Sequence, residues 1–262
     1  MRKSTLVWSL LALILWIPGL SQGPFDPEGQ FTYVLNDEIV AEEDFTFTTM
    51  EDGNTRLESV FIALSEEFLL QFETDRLFDQ TVVFTPALSL VSYLLTSDTA
   101  RGTFNVDVQV ADGIASMTFT TTDTENDESR SGEQDVILED NIVASGISGS
   151  GSQLTLLQEI IFRRDIGEPT TLLAFNPTDL FAPVVEVDIT PLEDVTVSAN
   201  GKTFQARRFG VSQLLEGQNG DSFSVELLSQ EGKMIGYQAF SQTSTLLVYR
   251  SDLFPDGFEV VE

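Results

Sequence analysis

Thr103-Phe104-Asn105-Val106-Asp107-Val108-Gln109-Val110 alternates apolar and polar side chains almost without a break. Phe104, Val106, Val108 and Val110 fall on one face, and Asn105, Asp107 and Gln109 on the other. Side chains switch faces at every residue of a strand, so this stretch reads as a half-buried β-strand. Asp112-Gly113 then turns the chain, a pair suited to a two-residue hairpin. Ile114 to Thr121 returns with Ala115, Met117 and Phe119 facing one way. The two runs predict an antiparallel hairpin with one wet face.

Outward from this hairpin the same period recurs. Phe31 to Leu35 leads to a turn at Asn36-Asp37-Glu38, and Phe45-Thr46-Phe47-Thr48 ends at Glu51-Asp52-Gly53-Asn54. Leu57, Ser59 and Phe61 share a face, as do Phe68, Leu70 and Phe72, and Thr81 to Thr85 continues the pattern. After Pro86, Leu88, Leu90, Val91, Leu94 and Leu95 fit either a buried strand or a short helical turn, and the strand is preferred. Asp123 to Asp135 carries six acidic residues and reads as a solvated loop. A Gly/Ser run from Gly146 to Ser152 precedes Leu154, Leu156, Leu157, Ile160, Ile161 and Phe162, whose spacing predicts one short helix near residues 153–163. Further strands are expected at Thr171 to Phe175, Val184 to Thr190, Val195 to Val197, Phe204 to Phe209, Phe223 to Leu227, Met234 to Phe240 and Thr245 to Tyr249. Asn200-Gly201, Gln218 to Asp221 and Glu231-Gly232 supply their turns. The fold class expected is mainly β: a single curved antiparallel sheet or open barrel with one short helix.

The chain opens with Met1-Arg2-Lys3, an apolar run from Leu6 to Ile17 interrupted at Ser9, and then Pro18 to Gly23. That order is the pattern of a cleavable signal peptide over residues 1–23, followed by one antiparallel β domain over 24–262. The expected location is extracytoplasmic, periplasmic or secreted. The run is shorter than the roughly 20 residues that span a bilayer, and no second long apolar segment follows it.

Composition narrows the function. The net charge is −29, from 13 basic and 42 acidic residues. Taking away Arg2 and Lys3 leaves 13 − 2 = 11 basic residues against the 42, or −31. Nucleic acid and anionic lipid both need a positive patch, so neither is an expected partner. With no cysteine, disulfides and the lipid anchor that needs one are ruled out. With no histidine, the commonest general base and zinc ligand are missing, and so is any Ser-His or Cys-His pair. Both tryptophans, Trp8 and Trp16, lie in the leader, which leaves none for a sugar-binding platform. No catalytic residue is assigned, and the protein reads as non-enzymatic. A carboxylate-based hydrolase is the remote alternative, since two acidic side chains at the right separation suffice for glycoside cleavage.

Two site candidates remain. Asp123, Glu125 and Asp127 place carboxylates at alternate positions, as calcium loops do, but the sharp-turn glycine and the closing glutamate are missing. A loose Ca²⁺ site is the only cofactor they would support, and a solvated acidic loop is the plainer reading. Arg208 follows Phe204 and Ala206 on one face of a strand, so Phe204 and Arg208 are the candidates for lining a ligand cavity. Twenty phenylalanines would fill a core or line a concave face for an apolar molecule.

The C-terminal half carries Asp140-Asn141, the short apolar helix, Leu172 to Pro177, Val195 to Val197, Asn200-Gly201-Lys202-Thr203-Phe204, Ala206-Arg207-Arg208, Glu231-Gly232-Lys233-Met234 and Leu247 to Arg250. In this order it resembles an uncharacterised family of exported bacterial envelope proteins with a curved antiparallel sheet, akin to the half-barrels of lipoprotein carriers. The likeness spans residues 136–252 and departs from the pattern at Ile142 to Gly146, where an aromatic is common. It implies an extracytoplasmic sheet that cradles an apolar or lipid-like ligand, or a structural role with an envelope protein as partner. A calcium-dependent or protein-interaction module on the cell surface is the alternative.

Overall fold

In the computed structural model, which describes residues 25–65, 78–99, 102–123, 126, 128–139, 142–143, 150–177, 183–214, 222–240 and 245–261, sixteen strands share one sheet. The N-terminal strands are β1 Glu28–Leu35, β2 Glu38–Thr49, β3 Thr55–Ala63, β4 Phe78–Phe84, β5 Leu90–Thr99, β6 Gly102–Ala111, β7 Ile114–Asp123 and β8 Glu128–Ile137. A helix, α1, spans Gly151–Arg163. The C-terminal strands are β9 Thr170–Phe175, β10 Val184–Pro191, β11 Val195–Ala199, β12 Lys202–Leu214, β13 Ser222–Gln230, β14 Lys233–Phe240, β15 Thr245–Arg250 and β16 Glu259–Val261. The expected leader, the Phe68 to Phe72 run, Asp140-Asn141 and the Gln218 to Asp221 turn lie outside the described residues.

Turn chemistry sets the register of the meanders. Asn36-Asp37, Asp112-Gly113, Asn200-Gly201 and Glu231-Gly232 all have both residues at positive φ, from 50° to 83°. Two-residue hairpins that match the right-handed twist of their strands require this conformation. β1 to β8 pair in sequence as one antiparallel meander, and β11 to β15 form a second. The two join where β1 pairs with β15, Phe31 opposite Arg250. The ends of the strand order, β16 and β8, do not pair with each other, so the sheet is open.

The helix between the meanders sits inside the fold. It packs on β2 from one side of the β1–β15 seam and on β13 and β14 from the other. Ten of its thirteen residues are buried. A helix resting on one side of a sheet buries only a stripe, so this sheet curves around α1. One core joins inward residues of β1 to β7, β9, β10 and β12 to β15 with Leu154, Leu156, Leu157, Ile160 and Ile161 of α1. β12 is long enough to serve two neighbours. Its first half pairs with β11 and places Ala206 in a satellite cluster with Leu228, Ile235, Tyr249 and Phe258. Its second half pairs with β10 and places Phe209 and Val211 in the main core.

The acidic stretch after Asp123 differs from the expected loop. Glu128–Ile137 is a strand paired with β7 over ten residues. Its hydrogen bonds to one neighbour define this edge strand, and its inner face is only half-buried at Gly132, Gln134 and Val136, so little apolar alternation marks it. The helix begins two residues earlier than expected because Ser150 caps it.

A buried arginine clasps the chain's ends. Arg250 is 2% exposed and donates two hydrogen bonds to Asp252, at 2.7 and 2.6 Å, and one to Asp26 at 3.2 Å. Its guanidinium lies 5.1 Å from the Phe45 ring centre and 5.8 Å from that of Phe31. Gly29 permits this approach, since a Cβ there would stand 2.5 Å from the Phe45 ring and 2.7 Å from the arginine. Burial disfavours the Arg250 charge, but the hydrogen bonds and charges of Asp252 and Asp26 outweigh it and raise its pKa. Burial likewise pushes the Asp252 carboxyl up, but Arg250 overrides it and holds the pKa below the ordinary 3.8. A carboxyl with a depressed folded pKa contributes stability above its unfolded value and loses it as pH falls through the folded one. Asp252→Asn is therefore expected to lower the Tm between pH 5 and 7, with the gap to wild type closing below about pH 4. Thermal melts across pH check this, and a gap that persists in acid contradicts it.

Candidate functional site

The first cluster of chemistry-bearing side chains is sealed inside the sheet. Extending the Phe45/Phe47 alternation back along β2 puts Ala41 and Glu43 on the inward face, and Glu43 is fully buried. Its carboxylate meets the N-terminus of α1. Oε1 accepts from the Ser150 and Ser152 hydroxyls at 2.7 and 2.5 Å. Oε2 accepts from the Tyr33 hydroxyl at 2.5 Å and the Gly151 N–H at 2.9 Å. The first turn of α1 holds no acidic residue, so the sheet supplies the negative charge that a helix N-terminus favours.

The network continues across the neighbouring strands. Gln80 of β4 donates to Ser59 of β3 at 2.7 Å and to Ser150 and Ser152 at 3.0 Å. Gln153 donates to the Gln80 side-chain carbonyl at 2.5 Å. Burial, and then the Glu43 charge, push the Tyr33 pKa well up, and the same two causes act on Tyr237, which is hydrogen-bonded with Tyr33. Burial raises Tyr93, against the opposing hydrogen bond to Gln153. No member of this network faces solvent, so its chemistry is anchoring: it ties the first turn of α1 to β1, β2, β3 and β4.

The second arrangement is open. A cleft of about 650 Å³ runs beside the C-terminal half of α1. Phe25 and Phe47 form one wall, their rings stacked at 4.3 Å, and Phe162 of α1 forms the other. Phe162 packs over Gly232 in the β13–β14 turn, where a Cβ would approach the ring within 2.8 Å. The charged lining is largely compensated. Asp26 binds Lys233 and Arg250, and Glu159 accepts from Arg163 at 2.6 Å. Burial raises the Glu159 pKa, partly offset by that arginine. Glu231 completes the rim. With Asp26 and Glu159 held in ion pairs, the cleft offers apolar walls more than acid–base chemistry. Its volume falls within the roughly 300–1,000 Å³ of small-molecule sites.

The expected site residues lie elsewhere. Asp123 ends β7, and its carboxylate accepts the Asn126 backbone and side-chain amides at 3.3 and 2.7 Å. Glu125 and Asp127 are outside the described residues. Among the described residues no three His, Cys, Asp or Glu side chains converge as a metal cage. Phe204 and Arg208 do share the satellite-cluster face of β12, but both are half-buried and engaged by other residues of the chain. Phe204 stacks on Phe254 at 5.8 Å, and Arg208 donates to the Glu193 carbonyl at 3.2 Å and to Glu226 at 3.4 Å. Sequence reasoning missed Glu43 and Gln80. Their signal is a polar residue on the apolar side of an alternation: Phe45/Phe47 for Glu43, Val82/Phe84 for Gln80.

No protein-family model, curated protein or solved structure matches this chain. Among the described residues, no helix is long and apolar enough to cross a membrane.

Glu43→Ala would leave two hydroxyls, a phenol and a helix N–H without their buried acceptor. A loss of about 3–5 kcal/mol is expected by urea denaturation, as when one partner of a buried charged pair is removed. A loss under about 1 kcal/mol, the scale of a single ordinary hydrogen bond, would contradict the anchoring role. The raised tyrosines give a second test. Their neutral forms stabilise the fold fully below the ordinary pKa of 10.0, and that contribution is lost as pH rises beyond it. Tyrosinate absorbance from Tyr33, Tyr93 and Tyr237 should appear only with unfolding. Ionisation of these three at about pH 10 in folded protein would contradict their burial.

Proposed function

We propose that this protein is an extracytoplasmic, non-catalytic binding protein that holds an apolar, lipid-like ligand in the surface cleft between Phe25, Phe47 and Phe162. The observation that carries this reading is the contrast between interior and surface. α1 fills the space that the curved sheet encloses, while the phenylalanine-walled cleft beside it stays open. An apolar ligand there gains from burial of ring and chain surface at roughly 25 cal/mol per Å². The Asp26–Lys233 and Glu159–Arg163 pairs can orient a polar headgroup at the rim. The lack of histidine and cysteine, together with Asp26 and Glu159 being taken up by cations, supports a binding role over a hydrolytic one. The leader-like start supports the location.

Phe162 is 53% exposed, and residues 24–262 hold no tryptophan, so Phe162→Trp installs a single emission reporter in the cleft. Titration with a single-chain alkyl amphiphile below its micelle concentration should shift that emission to the blue and saturate. Phe47→Ala in the same background should weaken the response about tenfold, the effect of losing about 1.4 kcal/mol of ring contact. Emission that does not respond to the amphiphile would overturn the proposal.

A further inference from the structure

The sheet's edges are treated unequally. At one end of the strand order the edge is β16, only three residues long. The outer side of β9 is taken by Val143, which donates to Leu173 at 2.9 Å and accepts from Phe175 at 3.0 Å. β8 is ten residues long and, among the described residues, pairs only with β7. A long edge presents a row of backbone donors and acceptors to any chain able to match them.

Two observations show which groups point outward. Leu138 N–H donates to the Gly113 carbonyl at 2.8 Å, and the β7–β8 register continues that pair as Ala115↔Val136, Met117↔Gln134 and Phe119↔Gly132. The Asp112-Gly113 hairpin sets the same phase, since Ile114 closes onto Ala111 of β6 and leaves Ala115 to bond β8. In an antiparallel ladder, bonded positions alternate with unbonded ones. The even-numbered residues of β8 therefore bond β7, and Ser129, Ser131, Glu133, Asp135 and Ile137 turn their N–H and C=O groups outward.

We propose that the partner for this edge is a second copy of the chain, added antiparallel across a two-fold axis at Gly132. That register sets Ser129 against Asp135 and Ser131 against Glu133, each twice, so the Glu133 and Asp135 carboxylates each face a serine hydroxyl. Arg130 stands opposite Gln134. The pairing repeats one the sheet already uses within the chain, where Ser116 of β7 donates to Asp135 of β8 at 2.7 Å. Sliding by one repeat toward Glu133 puts that carboxylate against itself. Like charges directly opposite are destabilising, so charge favours the Gly132 register over that one. At the axis Gly132 leaves room for the Phe119 ring, which covers the face its Cβ would otherwise occupy. The two copies form one continuous sheet through β8.

Each copy carries a large negative charge, so association strengthens as salt screens the repulsion. Sedimentation equilibrium of the purified protein should show a dimer at about 1 M salt, where the screening length is only about 3 Å, and a shift toward monomer at low salt. Ser131→Pro removes an outward N–H that, among the described residues, bonds nothing within the chain. It should weaken dimerisation at least about tenfold without changing the circular dichroism, and Ser131→Thr should not. Hydrogen exchange on the wild type gives a readout that needs no variant. The amides of Ser129, Ser131, Glu133 and Asp135 should be protected in the dimer and exchange freely on dilution. A monomer at every concentration and salt, or a dimer in which these four amides exchange freely, would overturn the proposal.

Discussion

The contact between the Glu43 carboxylate and the N-terminus of α1 is the constraint around which the structure is arranged. The first N–H groups of a helix have no partner within it, and a helix end buried without partners is unstable. α1 begins in the middle of the protein, far from water. Glu43 of β2 resolves this, with Tyr33, Ser59 and Gln80 holding the hydroxyls and amides around it. Burying a carboxylate costs several kcal/mol. Against this, Leu154, Leu156, Leu157, Ile160 and Ile161 each contribute about 1.5–3 kcal/mol when removed from water. The helix is therefore worth burying only if its polar end is satisfied, and the Glu43 network satisfies it.

Filling the interior has a functional consequence. A curved sheet with an empty concave face would be a ligand trough, and the sequence left that reading open beside a filled core. With α1 in place the main apolar space is occupied, and open volume lies at the flank where Phe162 leaves the core. The scarce cations follow the same logic of local satisfaction. Lys233 and Arg250 meet Asp26, Arg163 meets Glu159, and Arg208 meets Glu226. Among the described residues, most of the other carboxylates face solvent, where hydration and salt keep them tolerable.

Much of the fold was legible because turn chemistry and alternation agree. Asp112-Gly113 and Asn200-Gly201 announce positive-φ hairpins, and the strands on either side carry matching apolar faces. β8 was illegible for a physical reason: at the sheet's edge its inner face is only half-buried and carries Arg130, Gly132 and Gln134 instead of apolar residues, so Glu128 to Asp135 reads as loop. Arg208 misled because β12 changes role along its length. Following Phe204 and Ala206 inward leads to a small satellite cluster, not to the main core reached by Phe209 and Val211. Glu43 was hidden among Glu42 and Asp44, and only the period-two phase of Phe45 separates it from its solvated neighbours. The cleft has no sequence signature, since Phe25, Phe47, Phe162 and Gly232 meet only through the β1–β15 seam and the packing of α1.

Native-state amide hydrogen exchange on the wild-type protein tests the central account most directly. If the Glu43 network locks α1 into the sheet, the helix amides from Leu157 to Ile161 exchange only through global unfolding, with the same opening free energy as the core amides of β2 and β14. Helix amides that open at distinctly lower free energy than those strands would show α1 undocking while the sheet stays folded, and would contradict the account.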